Sequence, residues 1–240
     1  TDPSSPYTDN SVSSGFCYQY QYVETDGAGN QTTYTSTNIA RVDTTTPTCS
    51  IALIAKDSAG ACQYVTGSTV YYNNNASCSA GTGSHTITVN VTDSESGIQR
   101  VNFPATVSSG GDVTSAPYSK QYTYDTYDTF SRNETITVYN KAGGSGTYNL
   151  TLTRDITAPS GGSISYNDGN YTTASVEVTF VNGTENVGGS GISDRALQRR
   201  SATLNNGSCG SFGEWNTIAT NPISPYTDTS VVSGFCYQYK

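Results

Sequence analysis

Few side chains in this sequence could do acid–base or nucleophilic chemistry, and they do not form a catalytic pattern. His85 is the only histidine among 240 residues. It has no second histidine and no Glu-x-x-His spacing, so we expect a surface or strand-edge imidazole rather than a base or zinc ligand. No Gly-x-Ser-x-Gly segment marks a serine nucleophile, and no Cys-x-x-Cys pair marks a metal or redox site. The sequence therefore predicts a protein that is not an enzyme.

Acidic side chains offer a second kind of chemistry, the binding of a hard cation. Asp43 and Asp155 each open an Asp-x-Thr-x-Pro segment, and Asp93 and Glu95 lie in a predicted turn. Carboxylate oxygens are ligands that calcium prefers, although no EF-hand-like loop occurs and acids at such positions also cap turns. We expect no cofactor, with calcium at these four residues as the alternative.

The charge balance argues against two classes of partner. The formal net charge is −8, and the only basic doublet is Arg199–Arg200, which we expect on a solvated strand edge. Phosphate binding needs clustered Lys and Arg, so a nucleic-acid partner is not expected. No apolar run approaches the roughly 20 residues of a membrane-spanning helix, so we expect no membrane span.

A long repeat organises the chain. Residues 1–21 match residues 220–240 at 16 of 21 positions, with an offset of 219 residues. Segments of unrelated sequence would match far less often. We therefore expect a window cut from a longer, repetitive protein.

A weaker periodicity divides the long repeat into two related domains. Asp43-Thr-Thr-Thr-Pro47 recurs as Asp155-Ile-Thr-Ala-Pro159, and Ser96-Gly-Ile98 recurs as Ser190-Gly-Ile192. Proline ends a strand ladder and extends the preceding residue, which is typical of an interdomain linker. The predicted organisation is the C-terminal part of one domain at 1–43, a complete domain at 44–155, and the N-terminal part of a copy of the first at 156–240.

Neither outer part is expected to close a core alone. Each lacks strands that the other would supply, because a few strands without a second layer are marginal in water. Either the chain continues at both ends, or neighbouring copies complete one another.

The hydrophobic pattern predicts antiparallel strands. Apolar side chains alternate in 86–91, 134–138 and 175–180, between Gly, Asn and Asp turns. About seven such strands per domain indicate all-β, immunoglobulin-like sandwiches in tandem. In the strand at 16–23, this pattern turns Tyr18, Tyr20 and Tyr22 toward the core.

Several short motifs together carry a resemblance. The Asp-Gly-Ala-Gly-Asn turn at 26–30, the Asp-x-Thr-x-Pro linkers, the acidic turn at 92–98 and the Cys-Tyr-Gln-Tyr strand are similar to those of tandem immunoglobulin-like, fibronectin-III-like repeats of large bacterial surface proteins. The resemblance covers essentially the whole chain. It implies an extracellular location, at a cell surface, in a stalk, adhesin or fibre.

Six cysteines favour an oxidising compartment. Relative to the shared motifs, the middle domain has an extra stretch that carries Cys62 and Cys78, and the other domain has one that carries Cys209. We expect each insertion to hold its own disulfide, Cys62 with Cys78 and Cys209 with Cys236, the latter on the sandwich exterior.

Two cysteines remain. Cys17 is the repeat equivalent of Cys236, so its partner is expected outside this segment or on a neighbouring copy. Cys49 is left over in each period, as a free thiol or as a bridge between domains or chains. Pairing of Cys49 with Cys62 or Cys78 stays open.

The sequence therefore predicts a structural segment of an extracellular surface or filament-forming protein, with a mechanical and adhesive role and neighbouring copies as partners. One alternative is an adhesin module that binds surface glycans or proteins, with Trp215 as its platform. Another is a set of accessory repeats of a secreted enzyme.

Overall fold

Every regular element is a β-strand in the part of the chain that the computed structural model describes, which is residues 3–56, 63–75, 83–105, 110–124, 128–129 and 131–240. The alternation of apolar and polar side chains predicts this outcome, because residues of period two line one face of a strand. The fold class is therefore all-β. The chain divides into two units, Thr1–Arg154 and Asp155–Lys240.

The first unit begins with two short antiparallel pairs. They are formed by β1 (Phe16–Tyr18), β2 (Gln21–Thr25), β3 (Gln31–Thr35) and β4 (Ala40–Val42). β2 pairs with β3 and β1 pairs with β4, so the four strands form one interrupted hairpin. Tyr22, Val23 and Tyr34 are each about half exposed. No residue of these strands belongs to a hydrophobic core among the residues described.

The rest of the first unit is a complete two-layer sandwich. Its strands are β5 (Thr48–Lys56), β6 (Gln63–Thr66), β7 (Thr69–Tyr72), β8 (Gly83–Thr92), β9 (Ile98–Phe103), β10 (Gly111–Val113), β11 (Ser119–Tyr124), β12 (Arg132–Asn140) and β13 (Ser145–Arg154). One sheet has the order β10-β9-β12-β13-β7-β6, and the facing sheet has the order β11-β8-β5. β13 and β7 are parallel, and the other pairs are antiparallel.

The core of this sandwich lies between the two sheets. The buried side chains alternate along the strands as the pattern at 86–91 and 134–138 predicts. They include Val70, Ile87, Val101, Ile136, Val138, Leu150 and Leu152, of which none is more than 1% exposed. The two leucines come from β13, so this last strand supplies a substantial part of the core.

The second unit repeats this plan with fewer strands. They are β14 (Ser163–Ser165), β15 (Val176–Val181), β16 (Ala196–Asn205), β17 (Ser208–Cys209), β18 (Asn216–Thr220), β19 (Tyr226–Asp228) and β20 (Phe235–Tyr239). One sheet has the order β14-β15-β19, which corresponds to β5-β8-β11. In the other sheet β16 pairs with β17, β18 and β20, as β9 pairs with β10 and β12.

A small core lies between these two sheets. It consists of Val176, Val178, Leu197, Val231 and Tyr239. Residues 156–240 thus have five buried side chains between their two sheets, and whether they are stable without further strands stays a prediction. Among the described strands of this unit, however, none corresponds to β13, and β20 pairs only with β16.

Candidate functional site

The linker carboxylate Asp43 braces the start of the complete sandwich. Its Oδ2 accepts hydrogen bonds from the backbone N–H and the hydroxyl of Ser96, and from Nδ2 of Asn140 at 2.9 Å. Its Oδ1 accepts from the backbone N–H of Thr45 at 3.0 Å. The side-chain hydrogen bond of Ser96 does most to hold the pKa of Asp43 well below its usual range, and it outweighs the opposing effect of burial.

Two further carboxylates of the calcium prediction lie in the same cluster. Asp93 accepts a hydrogen bond from the Gly97 N–H at 2.8 Å and another from Asn140 Nδ2 at 3.0 Å. Glu95 Oε2 accepts from the hydroxyl of Ser14 at 2.6 Å and from that of Thr45 at 2.9 Å. The cluster thus joins the segment before the linker, the linker itself and two loops of the sandwich.

The second unit repeats the brace. Asp155 Oδ2 accepts from the backbone N–H of Ser190 at 2.7 Å, as Asp43 accepts from Ser96. The two motifs that the sequence repeats, Asp-x-Thr-x-Pro and Ser-Gly-Ile, are therefore the two halves of one contact. Within the described ranges, no group of three His, Cys, Asp or Glu side chains is arranged to hold a metal ion. The carboxylates serve as hydrogen-bond acceptors in this structure, and calcium at Asp43, Asp93, Glu95 and Asp155 stays a prediction.

The cysteines are placed as follows. Cys209 and Cys236 form a disulfide with a Cα–Cα distance of 5.8 Å, which ties the insertion to β20 as expected. Neither side chain belongs to the core of the unit. Cys62 and Cys78 lie outside the described residues.

The other two thiols differ in exposure. Cys17 is exposed and Cys49 is half-buried, and both are free among the described residues. Burial raises the pKa of Cys49, which keeps it protonated and makes it a poor nucleophile. A bridge from Cys49 to another domain or chain stays a prediction.

Trp215 is covered by cations of its own unit. The Arg200 guanidinium lies 4.6 Å from the Trp215 ring centroid, and Lys240 Nζ lies 4.7 Å from it. Arg200 also lies 5.1 Å from the ring of Phe212. Such cation–π contacts stabilise the insertion on the outer face of β16. The expectation that Arg200 is simply solvated is wrong.

Arg199 points to the other face and forms a cluster that sequence reasoning missed. Its Nη1 lies 2.6 Å from Asp228 Oδ2 and 2.7 Å from the Ser230 hydroxyl. The hydroxyl of Tyr239 donates to the same Asp228 oxygen at 2.9 Å. Burial would raise the pKa of Asp228, but the hydrogen bonds from Ser230, Arg199 and Tyr239 outweigh it and leave the pKa lowered. The signal for this cluster is the repeated Tyr-Thr-Asp-x-Ser motif.

The first copy of that motif makes the same local contacts. Asp9 Oδ1 accepts from the N–H and hydroxyl of Ser11, and Asp9 Oδ2 accepts from the hydroxyl of Tyr20 at 3.1 Å. Tyr18 accepts from the Ser13 N–H at 2.8 Å, as Tyr237 accepts from its own turn at 2.9 Å. The repeat therefore has one local geometry in both places.

A groove lies beside the end of β20. It has a volume of about 290 Å³. Its apolar lining comes from Pro159, Ile164, Phe180, Val181, Ile192 and Leu197.

Two expectations about rings need correction. His85 is fully buried rather than at a surface, and its ring centroid lies 5.7 Å from that of Tyr122. Tyr20 and Tyr22 are 43% and 50% exposed rather than in a core. The equivalent of Tyr20 in the second unit, Tyr239, is in the core at 6% exposure.

Comparisons with known proteins add little to the geometry. No family model matches the sequence, and no curated protein matches it. In the described part of the chain, no helix is long and apolar enough to cross a membrane. Among solved structures, the chain is similar to the fibronectin(III)-like modules of Clostridium thermocellum CbhA, with a TM-score of 0.32 and 15% identity. The match covers 59% of this chain and 65% of that chain, so the chain spans less than two thirds of the similar structure.

Proposed function

We propose that this chain is a non-catalytic structural segment of an extracellular surface or filament-forming protein, in which tandem sandwiches supply length and mechanical strength. The observation that carries the proposal is the duplicated architecture. Sheet order, linker brace and a 21-residue sequence segment all recur within one chain. Repetition of whole domains with their junctions is typical of extended arrays whose stability adds up along the chain.

The strand order of the complete sandwich favours resistance to a pulling force that is applied at its two ends. The chain enters through β5, which pairs antiparallel with β8, and leaves through β13, which pairs parallel with β7. Pulling on the two ends slides these strands along their partners, so that many ladder hydrogen bonds must break together. The Asp43 cluster fixes the entry point of the load by joining Ser14, Thr45 and Glu95.

The disulfide supports an extracellular setting. Cys209–Cys236 closes a loop on the outside of the second unit. Disulfides persist in oxidising compartments and are rare in the cytosol.

Single-molecule force spectroscopy on the whole chain tests the proposal. We expect the sandwich of β5 to β13 to give a discrete event that releases on the order of 35 nm of chain, at a force above that of the second unit. The second unit serves as the internal control, because its β20 has one neighbour. Unfolding of the sandwich at a force no higher than that of the second unit would contradict a mechanical role.

An adhesin function is the alternative, and Trp215 is the residue that tests it. The ring is half-buried and packs against Arg200 and Lys240, so it is not a bare platform for sugar stacking. Binding on a glycan array that disappears in Trp215→Ala and persists in Tyr7→Ala, an exposed aromatic elsewhere, would favour adhesion over a purely mechanical role.

A further inference from the structure

A polar cavity lies against the β14-β15-β19 sheet of the second unit. It has a volume of about 190 Å³. Its lining comes from β14, β15 and the loop between them, namely Ser165, Tyr166, Asn167, Tyr171, Glu177 and Thr179. Ligands of drug size occupy roughly 300 Å³ or more, so this cavity has room for one small ring.

The floor of the cavity is the outer face of two paired strands. Val176 and Val178 of β15 are buried in the core, so the alternate residues Glu177 and Thr179 face outward. Ser165 of β14 pairs with Thr179. The floor therefore presents two adjacent hydroxyls and, about 7 Å along the strand, one carboxylate.

The polar groups of the floor are available to a ligand. Ser165, Glu177 and Thr179 are exposed, and their side chains form no hydrogen bond or ion pair with another residue that the structure describes. A carboxylate accepts hydrogen bonds, whereas a hydroxyl both donates and accepts them. The floor can thus satisfy a ligand that carries donors and acceptors together.

Two tyrosines form the walls and are held in place by the chain itself. The Tyr171 hydroxyl donates to the backbone oxygen of Asn167 at 2.6 Å, and the ring is 42% exposed. Tyr166 is half-buried and packs edge-on against Tyr239, with ring centroids 5.0 Å apart. The walls are therefore formed without a ligand, which reduces the entropy that binding has to overcome.

We propose that this cavity binds one neutral sugar ring of a saccharide. A sugar ring has hydroxyls that both donate and accept, together with apolar C–H groups that pack on an aromatic ring. The cavity offers a carboxylate, hydroxyls, an amide and an exposed tyrosine ring within one small volume. The site is separate from Trp215, and the proposal does not depend on a mechanical role.

Other classes of ligand fit this cavity less well. An anion would be repelled by Glu177 and by Asp168, which acts on Tyr171 electrostatically, in a chain of net charge −8. An apolar ligand would cover the carboxylate and the hydroxyls without replacing their hydrogen bonds to water. A metal ion would find a single carboxylate, since no group of three His, Cys, Asp or Glu is arranged for a metal in the described ranges.

The complete sandwich provides an internal control, because it has the same sheet with different side chains. When the two units are aligned on their shared Pro-Tyr motif, at 117–118 and 225–226, Glu177 corresponds to Thr88. Thr88 pairs with Leu53 of β5, whose side chain is 57% exposed. The equivalent face thus has a threonine beside a leucine in place of the carboxylate, and we expect no sugar binding there.

The test is titration of the isotopically labelled whole chain with the methyl glycosides of glucose, galactose, mannose and N-acetylglucosamine, followed through amide chemical shifts. One ring in a small open site binds weakly, so we expect a dissociation constant on the order of 1 mM or higher. We expect saturable shifts at residues 165–179 with at least one sugar and none at residues 86–92. The absence of saturable shifts at 165–179 with all four sugars, or equal shifts at 86–92, would overturn the proposal.

Glu177→Gln and Glu214→Gln are the matched variants. Both carboxylates are exposed, so neither change should disturb folding, which unaltered amide shifts in β20 verify. Glu177→Gln removes a charged acceptor from the cavity and should weaken sugar binding about fivefold or more, whereas Glu214→Gln, outside the cavity, should not. Equal effects of the two variants would contradict the assignment of the site.

Calcium chloride and methylammonium chloride distinguish a neutral sugar from a cation at Glu177. We expect either salt to shift the amides of 165–179 only at concentrations above those at which the best sugar saturates. Saturation by either salt at a lower concentration than by every sugar would overturn the neutral-sugar class. Force spectroscopy is performed without sugar, so the mechanical proposal can stand if sugar binding fails.

Discussion

Residues 3–20 and 222–239 are two copies of one sequence segment in two different surroundings. Their turns are closed by the same hydrogen bonds, and Gly15 and Gly234 adopt φ values of 82° and 85°, a left-handed conformation that explains glycine at this position. Yet Tyr20 is 43% exposed and Tyr239 is 6% exposed. Local sequence sets the turn geometry, and the facing sheet decides burial.

The second difference between the two copies is that only one of the repeated aspartates has an arginine partner among the residues described. Asp228 is 2% exposed and is paired with Arg199, whereas Asp9 keeps its serine and tyrosine donors but has no arginine contact among the residues described. The tyrosine–aspartate contact therefore forms without the core, and the ion pair is added where a second sheet is present. Changes at equivalent positions should thus have unequal effects.

The largest difference is expected at the repeated tyrosine. Tyr239→Ala removes a core ring from a small unit and should lower the free energy of unfolding of Asp155–Lys240 by about 4 kcal/mol. Tyr20→Ala, the matched change, should cost less than about 0.5 kcal/mol because the ring is exposed. Hydrogen exchange measured on peptides from each unit separates the two effects. Equal losses would show that the two surroundings do not differ as described.

The repeated cysteine should show the next largest difference. Replacement of Cys209 and Cys236 by serine opens a loop with a sequence separation of 27 residues and should destabilise the second unit by about 3 kcal/mol. Cys17→Ser should leave stability unchanged, since Cys17 is a free, exposed thiol. Chemical denaturation with and without reductant is the measurement. A destabilising Cys17→Ser would reveal a partner for this thiol.

The smallest expected difference between the two copies concerns the loss of stability at acidic pH. The pKa of Asp228 is lowered in the folded state, so its contribution is present above the ordinary carboxyl pKa of about 3.9 and is lost as the pH falls through the lower folded value. The thermal unfolding midpoint of the second unit should therefore decrease as the pH is lowered below about 4. Asp228→Asn should flatten this dependence, whereas Asp9→Asn should not change it. A midpoint that is constant down to pH 2.5 in the unmodified chain would contradict the cluster.

The fold follows from the sequence because its signals are local. Alternation places Ile87 and Val89, Ile136 and Val138, and Val176 and Val178 in cores, since a period of two turns these residues to one face. The Cys209–Cys236 bridge follows from an insertion and a repeat, both of which can be counted along the chain.

The contacts of the candidate site could not be predicted, because they join residues that are far apart in the sequence. Arg199 and Arg200 are adjacent, yet one binds a buried carboxylate and the other covers Trp215, because neighbours on a strand face opposite ways. His85 is buried and pairs with Tyr122 of the neighbouring strand β11, which is 37 positions away in the sequence. The apolar and polar pattern along one strand does not predict which side chains lie beside it on the neighbouring strand.

The central claim is that residues 22–43 and the second unit are parts of one kind of sandwich. The most direct test appends residues 22–43 after Lys240 and measures the unfolding free energy of the second unit and amide exchange in β20. We predict a gain of at least about 2 kcal/mol and protection of β20 comparable to β12, with a version carrying Tyr22→Ser and Tyr34→Ser in the appended segment as the control. If the appended segment leaves β20 exchanging as before, or if the control stabilises the unit equally well, the claim is contradicted.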